Sequence, residues 1–145
     1  MVEALRSADV SWVCLAGYMR ILTPVFVEAF PRRMLNIHPS LLPAFPGLDA
    51  QAQAWDYGVS VSGCTVHMVD EGLDTGPIVA QRSVSTDDCR SAGDLARKIL
   101  LEEHVLYPDA LRLLLTEAWS IEGRRIVFDR QQGPVKNMKN FIDSC

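Results

Sequence analysis

Two polar residues, Asn36 and His38, flank Ile37 at the end of an apolar stretch that predicts a buried strand. Alternate side chains of an extended backbone face the same way, so the amide and the imidazole can converge on one atom. Such a pair suits a carbonyl oxygen that gains negative charge during acyl transfer. The residues alone also allow a simpler interpretation, in which His38 only caps the turn before Pro39.

A carboxylate partner for His38 is available in Asp74, which lies in the turn-forming segment 70–76. A nearby negative charge favours the imidazolium and raises the pKa of a histidine, so Asp74 would keep His38 protonated. An aspartate in a turn is also often only a local hydrogen-bonding residue. Spacing by itself does not show that the two side chains meet.

The other histidines and the cysteines give weaker signals. His67 lines the same crevice or is a structural histidine, and His104 follows two glutamates on a predicted solvated helix face. A metal site built from His38, His67 and Asp74 would have no recognised ligand spacing, so we predict no metal. The four cysteines form no C-x-x-C pair and are expected to be reduced thiols.

The elements that position these residues alternate between strand and helix patterns. Strands are predicted at 12–16, 34–37, 59–69, 77–84 and 125–128, and helices at 24–30, 50–57 and from 91 to about 118. We expect Pro108 to kink or divide the last helix. The alternation predicts an α/β sheet with helices on its faces, and the fully apolar run 12–16 is typical of a strand buried on both faces in a parallel sheet. Ligands of such sheets bind outside the carboxyl ends of the strands, where the loops after Ile37 and Val69 begin.

Length and charge exclude several classes. The 145 residues fit one domain, and a net charge of -4 gives no electrostatic footprint for nucleic acid. No apolar run approaches the roughly 20 residues that cross a bilayer, and the N-terminus lacks a signal-peptide layout. We therefore expect a cytoplasmic protein with no nucleic acid or membrane partner, of unknown oligomeric state.

The stretch from Leu35 to Pro43, Leu-Asn-Ile-His-Pro-Ser-Leu-Leu-Pro, strongly resembles the superfamily of hydrolases and transferases that use formyltetrahydrofolate. Three further blocks agree in order, at 15–22, 63–67 and 69–78. Phe45-Pro46-Gly47, with Glu103-His104 before Tyr107-Pro108, looks most like the phosphoribosylglycinamide formyltransferases. The resemblance implies a three-layer α/β/α, Rossmann-like formyltransferase fold with a mostly parallel sheet, an incomplete catalytic domain at 1–128 and a polar tail at 129–145.

By this resemblance Asn36, His38 and Asp74 match the catalytic residues of the family. The implied reaction transfers the formyl group of 10-formyltetrahydrofolate, a cosubstrate, to the amine of glycinamide ribonucleotide in purine biosynthesis. His38 and Asn36 would stabilise the tetrahedral oxyanion. Asp74 would keep His38 protonated and, through water, help proton transfer to the departing nitrogen.

The resemblance also implies binding segments. Folate contacts map to two groups, Met19, Arg20, Ile21 and Leu22, and Val69, Asp70, Glu71, Gly72 and Leu73. The side of the acceptor substrate maps to Asn36, Ile37, Pro39, Gly47 and Glu103. Asp49 and Gln51 depart from the pattern, because relatives often show histidine there, so contacts at the rim stay open.

The clearest departure is at the start of the chain. Relatives carry, ahead of the segment that matches 8–10, a βαβ-rich half whose loop holds the substrate phosphate at a helix N-terminus. We expect this chain to be a fragment or truncated form, with an apolar sheet edge at 12–16 open to pairing. Weak or absent activity on glycinamide ribonucleotide follows from that expectation.

Three rival functions remain open, within and beyond the superfamily. Formyltetrahydrofolate deformylases use the same catalytic residues with water, but usually read His-His where this chain has His38-Pro39. The formyltransferases of initiator methionyl-tRNA would carry an Arg-rich loop after Pro43 and a basic C-terminal domain. An inactive folate-binding remnant is the third alternative.

Overall fold

The computed structural model describes residues 1–17 and 22–129. The helices are α1 Val2–Ser7, α2 Pro24–Ala29, α3 Ala50–Tyr57 and α4 Ala92–Thr116. The strands are β1 Val13–Leu15, β2 Met34–His38, β3 Val61–Met68, β4 Ile78–Ser85, β5 Trp119–Glu122 and β6 Arg125–Phe128. All six strands form one sheet in the order β1-β2-β3-β4-β6-β5.

The sheet is mixed. β1 pairs with β2 and β4 with β6 in parallel, whereas β2–β3, β3–β4 and β5–β6 are antiparallel. The expectation of a mostly parallel sheet is therefore wrong for the described strands. Only residues 69–77 join β3 to β4, and a parallel crossover needs a dozen or more residues, so these two strands pair as a hairpin.

Helices cover both faces of the sheet, which confirms the three-layer architecture. Adjacent residues of β2 point to opposite faces: Leu35 belongs to the main core with residues of α3 and α4, and Met34 to a smaller cluster with Phe26 and Phe30 beside α1 and α2. Both residues are almost fully buried. The functional face of β2, which carries Asn36 and His38, is the face of Met34.

Most predicted elements occur where the sequence patterns indicate. Thr23 precedes the Pro that opens α2, and Gly58, at a φ of 79°, ends α3. The Ser91 hydroxyl accepts a hydrogen bond from the Asp94 N–H and caps α4. The expected division at Pro108 does not occur, since α4 runs for 25 residues through it. β5 was not predicted, since its residues fall between the predicted end of that helix and the predicted strand at 125–128.

β1 lies at an edge of the described sheet, and this position exposes one of its faces. The prediction that this strand is buried on both faces is wrong, because Cys14 is exposed. Cys64, in contrast, is fully buried, and burial raises the pKa of its thiol to about 12. Cys14, Cys64 and Cys89 are free thiols, and Cys145 lies outside the described residues.

Within residues 1–17 and 22–129, no helix combines the length and the apolar character that a membrane crossing needs.

Candidate active site

Asp74 lies between two buried histidines. Its Oδ2 is 3.4 Å from His38 Nδ1, and its Oδ1 is 3.7 Å from His67 Nε2. Both imidazoles have side-chain exposures of 5% or less, and that of Asp74 is 11%. Charges so poorly solvated interact strongly, so each ring affects the carboxylate more than it would at the surface.

Strand register explains why His67 joins the site. In the antiparallel pair β2–β3, Asn36 lies opposite His67 and His38 opposite Thr65, so the four side chains share one face. Asn36 Oδ1 and His67 Nε2 are buried without a hydrogen-bond partner. Unpaired buried polar atoms are uncommon in proteins, and two that face one cavity mark a place for a polar ligand group or water.

His67 differs from His38 in its surroundings. Its Nδ1 lies 2.9 Å from the Met68 carbonyl oxygen, so this nitrogen carries the proton in the neutral ring. Burial lowers the pKa of His67, and the carboxylate of Asp74 opposes that shift only in part. His67 therefore presents an unprotonated Nε2 towards Asp74 near neutral pH.

The loop that carries Asp74 reaches His38 by a route that the sequence did not predict. β3 runs antiparallel to β2, so its carboxyl end lies beside the start of β2, where the Val69 N–H donates to the Met34 carbonyl. His38 is about 13 Å further along β2, at roughly 3.3 Å per residue. Both loops leave the carboxyl ends of their strands, as expected, but these ends lie at opposite ends of the antiparallel pair, so the segment 70–76 folds back along the sheet to reach His38.

One short turn contacts both members of the His38–Asp74 pair. The Phe45 carbonyl oxygen lies 2.8 Å from His38 Nε2, and the Gly47 N–H donates to Asp74 Oδ2 at 2.8 Å. Phe45 and Gly47 have φ values of 51° and 85°, which give the turn its shape. Both ring nitrogens of His38 therefore face oxygen atoms, and only the imidazolium donates a hydrogen bond to each.

The predicted residues that the structure describes lie along one cavity of about 1020 Å³. Its walls include Asn36, Ile37, His38, Pro39, Gly47, Asp74 and Glu103, together with Leu22 and Val69, Asp70, Glu71, Gly72 and Leu73. Met19, Arg20 and Ile21 lie outside the described residues. One cavity thus receives residues from β2, both loops and α4.

Comparison with known proteins gives the family. The model of the formyl transferase family matches residues 1–111, which is most of the chain. The chain belongs to the formyl transferase family.

Relatives of this formyl transferase chain include enzymes with two activities. It is 46% identical over 115 residues to phosphoribosylglycinamide formyltransferase of Bacillus subtilis, covering 79% of the chain and 59% of that protein. The structure of glycinamide ribonucleotide transformylase 1 from Symbiobacterium toebii is similar at a TM-score of 0.84 and 53% identity, covering 88% of the chain and 60% of that structure. The structure of a formyltetrahydrofolate deformylase from Pseudomonas syringae is similar at a TM-score of 0.82 and 31% identity. The match covers 87% of this chain and 42% of that structure.

The formyl transferase chain spans about 60% of the length of the two transferases that it matches. The family match, residues 1–111, includes the residues that line the cavity.

Sequence reasoning missed part of the cavity wall. Leu100, Glu103, His104, Tyr107 and Pro108 follow one another at helical spacing on α4, and all line the cavity, although only Glu103 was predicted to. Their spacing was a usable signal, since i, i+3, i+4, i+7 and i+8 share a face. Leu15, Ala16 and Gly17 at the end of β1, with Leu48, Asp49 and Gln51, complete the wall.

Two groups on α4 have environments that matter for binding. Burial raises the pKa of Glu103, because it disfavours the charged carboxylate. A cationic group that binds nearby would stabilise that carboxylate. The Tyr107 hydroxyl lies 2.7 Å from the Leu15 carbonyl and 3.1 Å from the Leu35 carbonyl, so it joins α4 to β1 and β2 beside Asn36. Across the part of the chain that the structure describes, no group of three or more His, Cys, Asp and Glu is arranged to hold a metal ion.

Proposed function

We propose that this chain carries the catalytic part of an enzyme that transfers the formyl group of 10-formyltetrahydrofolate to the amine of glycinamide ribonucleotide. The names of the two transferases point to that reaction. We propose that it takes place in the cytoplasm, as a step of purine biosynthesis. The observation that carries the proposal is the buried Asp74 carboxylate held against His38, with Asn36 on the same face.

In the proposed reaction the amine attacks the formyl carbon, and negative charge develops on the formyl oxygen. Asn36 and protonated His38, on alternate positions of β2, stabilise that oxyanion. His38 Nε2 contacts the Phe45 carbonyl in the structure. An oxyanion accepts a stronger hydrogen bond than a neutral carbonyl does, so the His38 N–H exchanges one acceptor for the other as charge develops.

Asp74 has two tasks in this scheme. Its negative charge favours the imidazolium form of His38, and with water it moves a proton towards the departing tetrahydrofolate nitrogen. His67 presents an unprotonated Nε2 to the other carboxylate oxygen at 3.7 Å, which leaves room for adjustment when water or substrate enters. Neither task needs a covalent enzyme intermediate or a metal ion.

The cavity supplies separate walls for the two substrates in this proposal. Residues 69–73 and Leu22 form the folate side, to which Met19, Arg20 and Ile21 are also assigned. Ile37, Pro39, Gly47 and Glu103 form the acceptor side. The Glu103 carboxyl, whose pKa burial raises, is stabilised as an anion by an incoming ammonium group, which favours an amine acceptor.

Deformylation is the second candidate, because the deformylase structure matches the chain at a TM-score of 0.82. A formyl group that is passed to water leaves as formate. An inactive folate-binding remnant is the third, and it would bind a folate without releasing either product.

The products decide among these candidates. The 145-residue chain is incubated with 10-formyltetrahydrofolate, with and without glycinamide ribonucleotide, and formylated ribonucleotide, formate and tetrahydrofolate are quantified by mass spectrometry. Formylated ribonucleotide above the level of an Asp74→Asn sample supports the proposal, even at a low rate. Formate alone favours deformylation, and folate binding without either product overturns an enzymatic role for this chain.

A further inference from the structure

The loop that carries Asp74, residues 70–76, has few buried contacts of its own. Glu71, Gly72 and Leu73 at its tip are exposed, and Asp74 has a φ of 53°, which is uncommon for a residue with a side chain. Within the loop, Asp70 Oδ1 accepts from the Gly72 N–H and from the Thr75 hydroxyl. These bonds close the loop on itself, and other contacts must fix it relative to the sheet.

One contact that fixes the loop relative to the sheet comes from a distant part of the chain. The guanidinium of Arg124 donates from Nη2 to the Thr75 carbonyl oxygen at 2.6 Å, and Thr75 directly follows Asp74. A charged donor makes a stronger hydrogen bond than a neutral donor. Rotation of the Asp74–Thr75 backbone away from His38 would break this bond.

The β5–β6 hairpin places Arg124 at this position. Gly123, with a φ of 62°, and Arg124 form its turn, and Arg125 pairs with Ile78 at the start of β4, close to where the loop ends. The Trp119 indole N–H donates to the Leu114 carbonyl at the end of α4, which fixes the other end of β5. The turn therefore stands on a hairpin that is joined to both the sheet and α4.

We infer that Arg124 is a positioning residue for Asp74, acting through the Thr75 carbonyl to hold the carboxylate within reach of His38. This inference rests on the proposed function for its kinetic consequences, but Arg124 itself lies outside residues 1–111, the part of the chain that the family model matches. Arg124 does not touch the substrates in this scheme. It acts on catalysis only by placing a carboxylate.

Arg125 offers a matched control, since it is an exposed neighbour with the same charge and makes no hydrogen bond to Thr75 among the described contacts. Arg124→Met should lower kcat about 3- to 10-fold, the loss of one charge-assisted hydrogen bond at an exposed site, with a smaller change in KM for the folate. Arg125→Met should match the unsubstituted chain, and Arg124→Lys should recover part of the loss.

A double-mutant cycle separates placement of Asp74 from simple loss of stability. An Asp74→Asn chain has no carboxylate to place, so adding Arg124→Met should cause little further loss of kcat. Lower stability alone would cause the same loss in both backgrounds. Equal losses in the two backgrounds would overturn the inference.

Hydrogen exchange tests the same bond without substrate. Amides of residues 70–76 should exchange several-fold faster in Arg124→Met than in Arg125→Met, while those of β2 stay unchanged. If Arg124→Met does not fold, Arg124→Lys is compared with Arg125→Lys in the same way, and equal exchange overturns the inference. Formate as the product, without formylated ribonucleotide, would refute the proposed function, whereas this exchange difference would still decide the role of Arg124.

Discussion

The two loops that meet at the His38–Asp74 pair are held in different ways. Residues 38–47 are tied to the sheet by a buried network: the Thr65 hydroxyl donates to the Ser40 carbonyl at 2.7 Å and accepts from the Leu42 N–H at 3.0 Å. Gln81 Nε2 reaches both the Thr65 hydroxyl and the Leu42 carbonyl at 2.9 Å. Residues 70–76 are held by one part-buried bond, from the Gly47 N–H to Asp74 Oδ2, and otherwise by exposed bonds of Asp70 and Arg124.

This difference divides the site into a fixed half and an adjustable half. Opening a buried network exposes unpaired polar groups to an apolar interior, which costs more free energy than breaking bonds that water can replace. His38 should therefore keep its place, and the loop of Asp74 should open more readily. We expect substitutions in the first half to act on stability and those in the second to act on turnover.

The largest expected effect is on turnover, from Asp74→Asn. Asparagine tolerates the left-handed backbone at this position and can still accept from the Gly47 N–H, but it carries no charge to favour the His38 imidazolium. We expect kcat to fall about 100- to 10,000-fold, the range typical of general acid–base groups. Rates are compared with those of the unsubstituted chain in the product assay.

Asp56→Asn is a matched control for the Asp74 experiment, because Asp56 is an exposed residue of α3 that does not line the cavity. It makes the same change of charge and should leave kcat unaltered. Circular dichroism should show equal thermal unfolding for the two variants within a few degrees. An Asp74→Asn protein with nearly full activity would show that the adjustable half does not carry the chemistry.

The next largest effect is on stability, from Thr65→Val in the fixed half. The substitution keeps the shape of the side chain, removes the Ser40 bond, leaves the Leu42 N–H without its acceptor and leaves Gln81 with the Leu42 carbonyl as its acceptor. We expect the free energy of unfolding to fall by about 1–3 kcal/mol, as for other buried groups that lose a partner. Urea unfolding measures the loss, and Thr65→Ser, which retains the hydroxyl, should recover most of it. Equal stability of the valine and serine variants would remove the distinction between the two loops.

Sequence patterns predicted the elements of this fold better than their pairing. The apolar runs and the Gly58 and Ser91 signals give local preferences, and these placed β2, α3 and the start of α4 correctly. Whether β3 runs parallel or antiparallel to β2 depends on the path of the chain between them, and no local pattern encodes that path. The resemblance indicated an open sheet edge at 12–16, but no local pattern predicts that Cys14 is exposed there.

For the candidate site, the sequence named Asn36, His38 and Asp74 through resemblance, and the structure brings them to one cavity. The sequence did not reveal the contacts that backbone atoms make. The Phe45 carbonyl on His38, the Gly47 N–H on Asp74 and the Thr75 carbonyl on Arg124 depend on turn geometry, not on side-chain type. Every non-proline residue has the same two backbone groups, so composition and spacing cannot single these three out.

The smallest expected effect concerns His67, which belongs to the fixed sheet but faces the adjustable loop. Burial lowers its pKa, so as pH falls below about 6.5 the unfolded chain takes up a proton before the folded chain does. The free energy of unfolding should therefore decrease as pH falls from 7.5 to 5.5, with a contribution from this one group of at most about 1.4 kcal/mol per pH unit. His67→Gln removes that contribution, so its stability should approach or overtake that of the unsubstituted chain towards pH 5.5. Urea unfolding at several pH values measures the difference. Parallel pH dependence of the two proteins would mean that Asp74 offsets the effect of burial on His67. The contact between them would then hold the adjustable loop more firmly than its exposed bonds indicate.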